Sequence, residues 1–121
     1  MKFILYLLLF LAFIFVIGHS LDSNAKSLPS FEQRQALHLK ELQTKLMVAS
    51  LSCNFYDEYN RFSKKYSKEL KSNAVHLREY FGTEEKLNEY VTSVANKESR
   101  KSLNTELKEY CTASRRLFDN Y

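Results

Sequence analysis

An all-α fold, an antiparallel bundle of about four helices behind a cleaved N-terminal signal peptide, is what this sequence predicts, and three observations carry it. Only two Gly and one Pro occur in 121 residues, too few to punctuate the many short strands of a sandwich or barrel. Apolar residues recur at intervals of three and four along successive stretches, the spacing that brings side chains onto one face of a helix. Aromatic residues make up 14% of the chain, more than a disordered chain carries. The length allows one domain at most.

The leader comes first. Lys2 supplies a short positive region, Phe3 to Ile17 is an unbroken apolar run of 15 residues, and a polar stretch follows from Gly18 to Asn24. Ser23 and Ala25 place small residues third and first before a cut between Ala25 and Lys26, the small-x-small pattern of signal peptidase sites. The rival reading is an uncleaved anchor. Fifteen helical residues, however, cover only about 22 Å of a roughly 30 Å hydrocarbon core. Residues 1–25 are therefore expected to leave as a signal peptide, and 26–121 to fold as a single helical domain with no stable transmembrane anchor. The expected location is outside the cytoplasm, periplasmic or secreted.

The first helix is expected just after Ser30, which with Gln33 forms a capping-box pattern. Leu39, Leu42, Leu46, Ala49 and Cys53 share one of its faces, and Met47, Val48 and Leu51 make its second half apolar on nearly all sides. That pattern belongs to a buried helix, at the bundle centre. Asn54 then suits the N-cap of a second helix, with Asp57 in its first turn. Phe55, Tyr59, Phe62, Tyr66, Leu70, Ala74, Leu77 and Phe81 fall within an arc of roughly 120°. They predict one long helix over 55–81, with Ser72 and Asn73 as its weak point. Gly82 is placed to end it in a left-handed conformation. Thr83, Glu84 and Glu85 read as the start of a third helix with the stripe Leu87, Tyr90, Val91, Val94 and Ala95. Asn96 to Ser102 has no apolar period and reads as a connection. In the last helix Leu103, Leu107, Tyr110, Cys111, Leu117, Phe118 and Tyr121 line one side.

Cys53 and Cys111 are an even number in an exported chain, so a disulfide between them is the default expectation. Two free thiols or an intermolecular bridge are the alternatives. No CxxC or CxxCH occurs and neither Cys has a His nearby, so redox, haem and zinc chemistry lack their ligand spacing.

The run QTKLMVASLSCN, from Gln43 to Asn54, resembles a motif in a group of small exported alphaproteobacterial proteins of unknown function. Tyr59, Asn60 and Phe62, then Tyr80 and Phe81, the run LNEYVTSVAN from Leu87 to Asn96, and Tyr110 with Cys111 extend the likeness over most of the chain beyond the leader. It implies a signal peptide, a helical domain and a Cys pair. It implies no catalytic residue.

For function, the clearest constellation is Arg61, Lys64, Lys65, Lys68 and Lys71, opposite the apolar stripe of the second helix. Such a strip suits the phosphates of an anionic surface, and the bland reading is a solvated helix face. Nucleic acid is disfavoured by the export signal and by aromatics that sit on the apolar side, where no base can stack between the lysines. Asn88, Thr92 and Asn96 share a face and, with Asn60, read as solvent-facing or capping residues, a small hydrogen-bonded layer or a ligand contact being the alternative. His38 and His76 lie on different helices with no partner at metal-binding spacing, so no metal is expected. Tyr56, Tyr59, Tyr66, Tyr80, Tyr90 and Tyr110 read as core rings with hydroxyls at the rim, a Tyr-rich groove being the alternative. No GxSxG, HExxH or phosphate-cradling Gly-rich loop occurs, so neither an enzyme nor a cofactor is expected. The first expectation is a small exported bundle that binds an envelope protein or an anionic surface. The alternative is a periplasmic bundle holding a small apolar ligand or cofactor, which would need a void of roughly several hundred Å³ between the helices.

Overall fold

The computed structural model describes residues 27–121; the leader and its expected cut between Ala25 and Lys26 lie outside them. Five helices pack together, with no strand among the described residues: α1 (Phe31–Cys53), α2 (Tyr56–Lys65), α3 (Ser67–Phe81), α4 (Glu84–Asn104) and α5 (Leu107–Asp119). α1 starts at the capping box. The Ser30 hydroxyl accepts from the Gln33 N–H at 3.1 Å, and the Gln33 side chain accepts from the Ser30 N–H at 2.9 Å. Each bond satisfies a donor that the first turn leaves orphaned.

α1 is the central element and touches all four other helices. Its first half joins Ala36 to Leu77, Phe81 and Leu87, with Tyr80 and Tyr90 packed around them. Its second half joins Leu42 and Leu46 to Phe62, flanked by Tyr59, Leu117 and Phe118. Burying side chains such as Leu46, fully enclosed, contributes roughly 1.5–3 kcal/mol each. Central placement does not enclose every apolar residue of α1, because Met47 and Leu51 face outward.

The helix expected over 55–81 is broken, and at Tyr66 rather than at Ser72 and Asn73, which lie inside α3. Tyr66 takes φ −100°, ψ 16°. The N–H of Tyr66 still bonds the Phe62 carbonyl at 3.0 Å, and that of Leu70 the Tyr66 carbonyl at 2.9 Å, so one face runs on across the break. The break falls where the partners change: Phe62 belongs to one apolar cluster, Leu77 and Phe81 to the other. The Tyr66 hydroxyl also donates to the Tyr121 carbonyl at 3.1 Å, which fixes this residue from outside its own helix.

Two joints correct the sequence reading. Asn54 is the C-cap of α1, at φ 58°, and α2 has Phe55 at its N-cap with no side-chain bond. Asn is among the few residues with a side chain that tolerate this left-handed conformation. The expected connection from Asn96 to Ser102 is helical, and α4 continues to Asn104. The turn is at Thr105, which is extended, and Glu106, at φ −56°, ψ 130°. Leu103 and Leu107 are consequently exposed, outside the inner stripe assigned to them.

Gly82 ends α3 as expected, at φ 76°. A Cβ placed there meets nothing within 4 Å, so replacement acts through backbone conformation alone. Gly82→Ala is expected to lower stability by about 1 kcal/mol in urea unfolding, with spectra unchanged.

Cys53 and Cys111 form a disulfide within the chain, with Cα atoms 5.6 Å apart. It joins the last residue of α1 to the first half of α5.

Candidate basic face, buried carboxylate and apolar cleft

The continuous face across Tyr66 keeps Arg61, Lys64, Lys65, Lys68 and Lys71 in one strip, and all five are exposed. They are not equivalent. Arg61 lies 4.0 Å from Glu58. Lys65 donates to the Tyr121 carbonyl and sits 5.1 Å from the Tyr66 ring centre, so it closes the end of α5 onto the α2–α3 junction. Lys64, Lys68 and Lys71 have no carboxylate partner among the described residues. Exposed Val75 continues the same line one turn beyond Lys71.

Glu58 is engaged from the other side by Arg115 of α5, whose guanidinium also stacks 4.0 Å from the Phe55 ring centre. Its own backbone N–H in the first turn of α2, and then Arg115, hold the Glu58 carboxyl below the usual carboxylate range.

A second polar site has no counterpart in the sequence reading. Glu98, in the stretch expected to be a loop, is buried against α5, where the Tyr110 hydroxyl donates to its Oε1 at 3.0 Å. Lys101 stands 3.9 Å from the same oxygen. Tyr110 is 2% exposed. Burial first, and the Glu98 charge second, push its hydroxyl up to about 12. Buried Ser114, one turn further along α5, acts in the opposite direction. Of the tyrosines expected in the core, Tyr110 thus buries its hydroxyl as well as its ring, and Tyr56 is exposed.

An open cleft of about 610 Å³ lies between α1, α3 and α4, floored by Leu39, Leu70, Ala74, Leu77 and Leu87. Lys40, Arg78 and Glu84 stand in its lining. On the same α1–α3 seam, a shallower hollow of about 640 Å³ includes Phe31, His38, Tyr66 and Glu69 and shares Leu39 and Asn73 with the first. His38 is exposed on α1, whereas His76 pairs at 3.7 Å with Glu79 within α3. Among the described residues no three His, Cys, Asp or Glu side chains converge as metal ligands. Asn60, Asn88, Thr92 and Asn96 are all exposed. No helix among the described residues is long and apolar enough to cross a membrane. Compared with family models, curated proteins and solved structures, the chain matches none.

Proposed function

We propose that this is an exported helical domain that binds an anionic surface through the α2–α3 basic face. Export is supported by the leader sequence, with Lys2, the apolar run from Phe3 to Ile17 and the small residues Ser23 and Ala25, and by the disulfide, a cross-link typical of oxidising compartments. The observation that carries the binding reading is the exposed row Lys64, Lys68 and Lys71 without carboxylate partners among the described residues. Three unneutralised cations on a fixed helical spacing attract a phosphate-bearing surface, each by about 1 kcal/mol at most.

Co-sedimentation with phosphatidylglycerol vesicles tests the reading. Binding is expected to exceed that to phosphatidylcholine, and to fade as salt rises from roughly 0.1 M to 1 M and the screening length shrinks from about 10 Å to 3 Å. Replacing Lys64, Lys68 and Lys71 by Gln is expected to weaken it by roughly ten- to a hundredfold while melting stays unchanged. Lys65 stays in place because it holds the Tyr121 carbonyl. Equal binding by the triple variant would overturn the proposal. If the variant instead loses an envelope protein in pull-down while vesicles bind neither form, the partner is an acidic protein face.

A further inference from the structure

We infer that the cleft between α1, α3 and α4 is a binding site for a single-chain fatty acid. Its volume of about 610 Å³ falls within the roughly 300–1,000 Å³ of small-molecule sites. Its floor supplies what an acyl chain needs. Leu39, Leu70, Ala74, Leu77 and Leu87 converge there from three helices.

The charges of the lining identify the head group. Lys40 and Arg78 contribute two cations and Glu84 one anion. Glu84 is in the first turn of α4, where the helix dipole already compensates a carboxylate. Of the neighbouring acids, Glu41 on α1 is paired with Lys45 at 2.6 Å, and Glu79 on α3 lies beside His76 at 3.7 Å. Lys40 is half-buried and donates only to the neutral Gln43 amide, at 3.2 Å. Neither it nor Arg78 has a carboxylate within 4.0 Å among the described residues. A ligand carboxylate at this position supplies the counter-charge that both cations lack among the described residues. An acyl chain that ends in a carboxylate matches the floor and the cations together. An uncharged alcohol of the same length matches only the floor.

Calorimetric titration of the oxidised protein, isolated without detergent, with decanoate and with 1-decanol tests this. Decanoate is expected to bind saturably at one equivalent, and decanol roughly tenfold more weakly, the difference expected of a charge-assisted contact. Changing Lys40 and Arg78 together to Met is expected to bring decanoate down to the affinity of decanol. Ala74→Phe, which fills the cleft, is expected to abolish both. Should Ala74→Phe fail to fold, the rim variant decides alone, since its substitutions leave the floor intact. No saturable binding of decanoate would overturn the inference, as would decanoate binding unchanged in the rim variant. Uptake of several equivalents that falls when Lys64, Lys68 and Lys71 become Gln would also overturn it, because that is adsorption to the basic face.

Discussion

Replacing Cys53 and Cys111 together by Ser is expected to lower the unfolding free energy by about 4 kcal/mol. The bridge spans 58 positions, and closing a loop of that length removes about 4 kcal/mol of chain entropy from the unfolded state. A domain of this size has only about 5–15 kcal/mol of stability in total, so the bridge is a large share of it. The melting temperature is expected to fall by about 15–30 °C, from the usual 4–8 °C per kcal/mol for small domains. The loss concentrates on α5. Once the bridge is gone, α5 keeps the packing of Leu117 and Phe118 on Leu42, Leu46 and Phe62, the edge-on Phe55–Phe118 contact at 5.9 Å, the Arg115–Glu58 pair and the Tyr110–Glu98 bond. Hydrogen exchange in the double Ser variant is therefore expected to speed first in α5 and only later in α1 and α3. A loss below about 1 kcal/mol in urea unfolding would show that the unfolded chain is already compact enough for the bridge to matter little.

The parts of this fold that were legible in the sequence are those set by short-range spacing. The stripe from Phe55 to Phe81 records its inner face in a period that survives the break at Tyr66, because the i to i−4 bonds continue through it. The basic strip is legible for the same reason. Ser30 with Gln33, and Gly82 with Thr83, mark helix ends by chemistry confined to a few residues. What was not legible depends on partners far along the chain. Asn54 looks alike as an N-cap or as a left-handed C-cap, since its short amide side chain suits both. Asn96 to Ser102 carries no apolar period, yet it is helical: it contains Glu98, Arg100 and Lys101, good helix formers, and packs through Glu98 on Tyr110. The division of labour among the lysines was equally invisible. Lys65 is tied to a carbonyl 56 positions away, while Lys64, its neighbour, has no such tie. The cleft left no sequence signal, because a cavity belongs to the seam between helices rather than to either of them.

Alkaline titration is expected to weaken the fold at Tyr110. The folded state holds its hydroxyl neutral up to a pKa of about 12, against an ordinary value near 10 in an unfolded chain. Because the folded value is the higher one, this contribution is fully present below pH 10 and is lost as pH rises through about 12. Over that window the unfolded state gives up the proton first, and stability falls by up to about 3 kcal/mol. Urea unfolding at pH 9 and at pH 11.5 reads most of the change. Tyr110→Phe removes the titrating group, so the part of the alkaline loss that belongs to this residue is expected to vanish in that variant. The same variant is expected to lose about 1–3 kcal/mol at neutral pH, because the buried Glu98 carboxylate then keeps only Lys101, 3.9 Å away. Glu98→Gln separates the two causes. It leaves the phenol buried with an amide oxygen to accept its proton but removes the negative charge, so the alkaline loss is expected to shrink without disappearing. If Tyr110→Phe shows the same fall between pH 9 and pH 11.5 as the parent, the alkaline sensitivity does not arise at Tyr110, and the α4–α5 contact is not its seat.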